Sequence, residues 1–194
     1  MPLLPFLLLT LSTLTILTHA QTHLPKEPPL PWCNLYATDT VTSNMTDYWK
    51  VNAHGWSTVV SAYPIRPNAV TTVTFQNVNG GSAMIGVGVL PDATILRTQY
   101  VGLFPNSVAF SPLTGKKVFY GGFVDYSTPC VNGDTITMTV DLRPYQNTVE
   151  YAKNGLSMGV AFAGLNMWAG EIYLMFSIHA MTHRLRVTNY SVVL

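Results

Sequence analysis

The chain has 194 residues, 48% apolar and only 10% charged, and its ten Lys and Arg against nine Asp and Glu leave a formal charge of +1. Scattered basic residues of that number do not make the stripe that a nucleic-acid groove needs, and so apolar a composition excludes a disordered chain.

The first element in chain order is a leader. An apolar run from Leu3 to Leu17 ends at Thr18-His19-Ala20, a small-x-small cleavage pattern, and no acidic residue precedes Glu27. A run of about 15 residues is short for a bilayer span, so residues 1–20 are expected to be a signal peptide; no Lys or Arg precedes the run, and the alternative is an N-terminal anchor. Secretion would follow, with no membrane span after cleavage. Residues 21–31 then carry four prolines, which favours an extended arm over any regular element. The remainder, 32–194, is of ordinary size for one domain with a single core. A monomer is the expected state.

From Trp56 onward short runs rich in Val, Thr, Ile, Tyr and Phe alternate with Gly, Pro, Asn and Asp, the pattern of many short strands. Strands are predicted at 56–62, 70–78, 83–90, 94–98, 117–123, 135–142, 148–153, 157–162, 171–178 and 184–193. Asn79-Gly80-Gly81, Asn132-Gly133-Asp134 and Lys153-Asn154-Gly155 supply turn chemistry between them. No long helical period exists. The fold class is therefore all-β, two packed antiparallel sheets or a barrel. The two cysteines, Cys33 and Cys130, lie beyond the leader, and in an oxidising compartment they are expected to pair. Free buried thiols and a link to another chain remain the alternatives, and two isolated cysteines lack zinc-site spacing.

The stretch from Gly133 is the most informative. Ile136, Met138, Val140 and Leu142 alternate with Thr135, Thr137, Thr139 and Asp141; a loop at 143–147 follows, and Asn154-Gly155 reverses the next strand into Met158-Gly159-Val160-Ala161-Phe162. This meander resembles the centre of SPRY domains: the Gly133-Asp134 turn, the Asp141-Leu142 pair, Tyr151-Ala152-Lys153-Asn154-Gly155 and Gly159-Val160-Ala161-Phe162 match in order and spacing. Ile172 to Ser177 stands where that family has an aromatic-led apolar strand, Arg186 to Tyr190 looks like its closing strand, and Met84 to Val89 resembles its early Gly-Val strand. Leu174 replaces the family's proline after the strand's aromatic, and no Tyr-Trp-Glu-Val strand is present in the first half, so the chain reads as a divergent, secreted, free-standing relative. The resemblance implies a two-sheet concanavalin A-like jelly roll serving as a protein-interaction module.

Sites for chemistry are scarce. A sandwich glycosidase needs two facing carboxylates, whereas Glu27, Glu150 and Glu171 are far apart and Asp141 occupies a structural position of the family. No Gly-x-Ser-x-Gly elbow is present. His179 and His183 have helical zinc spacing, but the surroundings read as strand and turn, so no metal or cofactor is expected. Asn44-Met45-Thr46 and Asn189-Tyr190-Ser191 are glycosylation acceptors in a secreted chain. Binding is expected on loops at one end of the sandwich, with Tyr63, Arg66, Tyr100, Phe104, Tyr126, Tyr145 and Trp168 as candidates because aromatic and Arg side chains anchor interfaces. The expected partner is an extracellular or cell-surface protein; a lectin-like glycan binder is the alternative, and a sandwich hydrolase a remote one.

Overall fold

A computed structural model describes residues 32–33, 41–43, 47–50, 55–77, 81–181 and 183–194. The leader, the proline arm and Asn44 lie outside the described residues. The strands are β1 (Trp32–Cys33), β2 (Val41–Ser43), β3 (Asp47–Lys50), β4 (Ser57–Ser61), β5 (Val70–Asn77), β6 (Ala83–Val89), β7 (Ser107–Ser111), β8 (Lys116–Phe119), β9 (Gly122–Asp125), β10 (Thr135–Asp141), β11 (Thr148–Lys153), β12 (Leu156–Ala163), β13 (Ile172–Ile178) and β14 (Arg184–Val193). Among the described residues one short helix, α1 (Ala93–Thr98), and a 3-10 turn at Leu165–Met167 interrupt them. Among the described residues, no helix is long and apolar enough to cross a membrane.

The strands form two antiparallel sheets of seven. Sheet I runs β1-β4-β13-β6-β7-β8-β9, and sheet II runs β12-β11-β10-β5-β14-β3-β2. Alternation sets the register of sheet II: Ile136, Met138 and Val140 of β10 are buried, and Met138 lies opposite Val73 of β5 and Tyr151 of β11. A one-residue slip would turn that whole set toward solvent. Tyr151, fully buried, spans the core and donates from its hydroxyl to the Ile85 carbonyl of sheet I at 2.7 Å. The aromatic of the motif that carries the family resemblance is thus a strut between sheets.

A second apolar cluster covers the outer face of sheet I. Residues 90–106 fold back over it, seating Leu96, Val101 and Phe104 on Val60, Met84, Ala109, Val118 and Met175. Beneath them β6 and β7 approach so closely that a Cβ on Gly86 would lie 1.9 Å from the Val108 carbonyl oxygen, which is why a glycine stands there.

Several expectations are corrected. The predicted strand at 94–98 is α1, because the Asp92 carboxylate accepts the Thr94 and Ile95 amides and caps a helical turn. The predicted strand at 117–123 is the β8–β9 hairpin, folded at Tyr120 and Gly121, whose φ values of 48° and 73° are both positive as a two-residue primed turn requires. β7 and β1 to β3 were not predicted; β7 is covered on both faces, so it shows no alternation.

Cys130 is a free buried thiol rather than half of a bridge to Cys33. Its amide bonds the Pro112 carbonyl just past β7, whereas Cys33 lies on β1, four strand positions away and so about 19 Å at ~4.8 Å per strand. Disulfide geometry needs Cα atoms within roughly 7 Å. Burial pushes the Cys130 thiol up to about 11, which leaves it protonated and unreactive.

Candidate functional site

The pairing registers sort the loops into two ends. At one end lie the connections 62–69, 90–106, 120–121, 142–147 and 164–171, as β4 stops at Ser61, β6 at Val89, β8 at Phe119, β10 at Asp141 and β12 at Ala163. Backbone hydrogen bonds tie them together: Ile65 donates to Ile172, Leu142 to Ala69, and Leu165 to Asn147. At the other end lie 112–115, 126–134, 154–155 and 179–183.

That other end is where the family motif does its structural task. The Asn154 side chain accepts the Thr135 amide at 2.8 Å and donates to Asp134, and Lys153 donates to the Pro129 carbonyl at 2.7 Å. Asp134 also accepts the Val131 amide, and the Asn154 amide together with that N–H holds its carboxyl below the usual carboxylate range. These polar groups staple two hairpins. His179 and His183 lie here too: the His179 ring packs on Trp56, and His183 Nδ1 accepts the Ala180 amide. Among the described residues no three His, Cys, Asp or Glu side chains converge as metal ligands.

The carboxylates are engaged structurally. Asp141 accepts from Arg143 at 2.6 and 3.0 Å and its carboxyl is held low, the opposite of what a general acid needs; Glu150 accepts from Ser157 and Glu171 from the Tyr173 hydroxyl.

Of the predicted contact residues, Tyr63, Arg66, Tyr145 and Trp168 lie in connections at the loop end. Tyr145 is 99% exposed and Tyr63 66%, with Arg66 also exposed. Tyr145 stands at φ 69°, a left-handed conformation that costs a bulky side chain energy. Tyr100 and Phe104 belong elsewhere. Phe104 is 1% exposed within the outer cluster, and Tyr100 is half-buried against Trp56 and Phe123. Tyr126 is half-buried too, its ring against Phe110 and Tyr151 and its hydroxyl donating to the Gly159 carbonyl. Asn189 is exposed on β14, one residue past the bulge at Thr188.

At the loop end, between β7 and β8 of sheet I and the end of β12 in sheet II, lies a cavity of about 290 Å³. Phe119 and Tyr120 from the β8–β9 hairpin, Phe162 from β12 and Trp168 from the following loop form its aromatic wall, and Lys117 reaches in from β8. Lys117 faces inward because Val118 faces the outer cluster and neighbours on a strand alternate. Its ammonium donates to the Ala161 carbonyl at 3.0 Å and lies 5.8 Å from the Phe162 ring centre. Sequence reasoning missed this site because it read one strand across 117–123; the Tyr-Gly pair followed by Gly122 was the available turn signal.

No family model matches the sequence, and no curated protein matches it. Among solved structures the chain is similar to the SPRY domain of human HERC1, with 14% identity, a TM-score of 0.67, and coverage of 81% of this chain and 97% of that one. It is also similar to a human SPRY domain, with 16% identity, a TM-score of 0.60, and coverage of 76% and 94%. The fold is the SPRY sandwich.

Proposed function

We propose that this SPRY-fold chain is a non-catalytic, secreted interaction module that holds a protein partner on its loop end. The observation that carries the reading is that Tyr63, Arg66 and Tyr145, all exposed, lie in connections at the same end of the sandwich as the cavity walled by Trp168. Aromatic and Arg side chains on a rigid frame make the usual binding anchors. SPRY domains are protein-interaction modules, which supports the same reading. The leader at 1–20 and glycosylation at Asn44 and Asn189 complete it.

The test is capture from cell-surface and extracellular extracts by the full chain, produced through a secretory host. A partner retained by the wild type and lost at least tenfold by a folded Tyr63→Ala, Arg66→Ala, Tyr145→Ala variant, each anchor contributing about 1–2 kcal/mol, supports the reading. Elution by free sugar would replace it with glycan binding. Equal capture by both proteins would remove the loop end from consideration.

A further inference from the structure

We propose that the Lys117 cavity is a subsite for a carboxylate carried beside one aromatic or aliphatic side chain of the bound partner. This rests on the interaction-module reading and names the chemistry of one part of that surface. Four observations converge on it. The cavity, at about 290 Å³, lies just below the ~300–1,000 Å³ range of small-molecule pockets, which suits a single side chain. Its wall of Phe119, Tyr120, Phe162 and Trp168 is apolar and aromatic, the surface that a ring or branched side chain fills.

The third observation is charge. Among the described residues no Asp or Glu lines the cavity and Lys117 has no acidic partner. An ammonium has three donors, and one is used on the Ala161 carbonyl. The remaining donors, half-buried among aromatic rings, are complementary to an incoming anion, and screening by solvent is weaker there than on an open surface. The fourth is placement. Tyr120 stands exposed at the cavity wall with φ 48°, its turn fixed by the Gly121 amide donating to the Gly102 carbonyl, so the wall is held rather than mobile. The carboxylate comes from an acidic side chain or from a chain terminus, which share the chemistry.

The probe is 3-phenylpropionate, compared with neutral 3-phenylpropionamide, titrated into the full folded chain and followed by amide and indole NMR resonances. Binding of the acid at the Trp168 indole and the Phe162 and Ala163 amides, with the amide probe at least about tenfold weaker, is the expected result. Lys117→Met should erase that preference and Lys117→Arg keep it, while Trp168→Ala weakens both probes alike. N-acetylphenylalanine and N-acetyl-Phe-Asp-amide then separate a chain end from an acidic side chain. Equal binding of acid and amide, or shifts away from the cavity, would overturn the inference. A partner lost by the triple loop variant but held fully by Lys117→Met also overturns it and leaves the interaction reading standing. Carboxylate binding at Lys117 with no protein partner retained does the reverse.

Discussion

The two faces of sheet I are covered by different means. The inner face meets sheet II through large side chains in fixed alternation, with Phe75, Phe110, Tyr151 and Phe176 fully buried and ring centres of Phe75 and Phe176 5.9 Å apart. The outer face meets residues 90–106 through a smaller apolar cluster and a set of buried hydroxyls. Thr58 donates to the Gln99 carbonyl at 2.8 Å, Ser177 accepts the Val101 amide at 2.9 Å, and Ser107 accepts the Gly102 amide at 2.8 Å while donating to Phe104. A sheet offers its outer cover no backbone hydrogen bonds, so hydroxyls on the strands satisfy the irregular backbone lying across them. The inner cover is thus part of the cooperative core, and the outer cover is a docked segment. That segment also sets the cavity, since Gly102 receives the Gly121 amide of the turn that carries Tyr120.

Truncating each cover separately would sharpen or break this contrast. Phe176→Ala removes a fully buried ring from the inner face and should cost about 3–5 kcal/mol, read as a lowered urea midpoint with exchange accelerated throughout both sheets. Acceleration confined to one strand would show that the inner face is not one cooperative unit. Ser177→Ala removes the hydroxyl beneath the outer cover that accepts the Val101 amide and, since the Thr58 proton goes to Gln99, donates to the Thr58 oxygen; the loss should be about 1–3 kcal/mol. Here the amides of residues 94–104 should exchange first, by local opening, and the sheet II amides should change little. Asp92→Ala deletes the cap of α1 and should cost about 1 kcal/mol, again with exchange confined to the cover. If either variant opens the whole molecule at once, the cover belongs to the core and the contrast fails.

The same contrast explains what was legible in the sequence. Period-two patterning marks a strand with one wet face and one dry face, so β5, β10 and β11 could be read directly, and the Lys153-Asn154-Gly155 turn marked the hairpin from β11 into β12. Wherever the outer cover lies, the pattern disappears: β7 is buried throughout and reads as an unremarkable Ser-Val-Ala-Phe-Ser, and Phe104 looks like a loop aromatic when it is the keystone of the cover. Thr58, Ser107 and Ser177 gave no signal, because a buried hydroxyl serving another segment's backbone looks like any surface hydroxyl. The loop-end positions Tyr63, Arg66, Tyr145 and Trp168 were legible as aromatic and Arg residues in turn-rich connections. Lys117 was not, since facing inward depends on where β8 ends, and that depends on a tyrosine taking a left-handed turn position. The Cys33–Cys130 pairing was read from the count of cysteines alone, and strand order, which the count does not contain, separates them.

The smallest effect expected lies outside both covers and tests whether they share one stability. Burial lowers the His183 pKa below its ordinary value; a hydrogen bond involving Ser82 opposes this and the neighbouring His179 adds to it. A base whose pKa is lowered on folding binds its proton more readily when unfolded. Stability is therefore at its full value above the unfolded pKa of about 6.5, declines as the pH falls from there toward the lower folded pKa, and is flat below it. Protonation also removes the lone pair on Nδ1 that accepts the Ala180 amide, so the cost is structural as well as electrostatic. His183→Gln should flatten the decline in urea midpoint between pH 6.5 and 5 without altering probe binding at the Lys117 cavity, which sits at the opposite end of the sandwich. If the wild type shows no decline, the imidazole is not kept neutral by its burial. If the variant shifts the cavity resonances as well, the two ends are coupled through sheet I, and the outer cover, which touches Trp56 beside His179 and Gly121 beside the cavity, is the element that joins them.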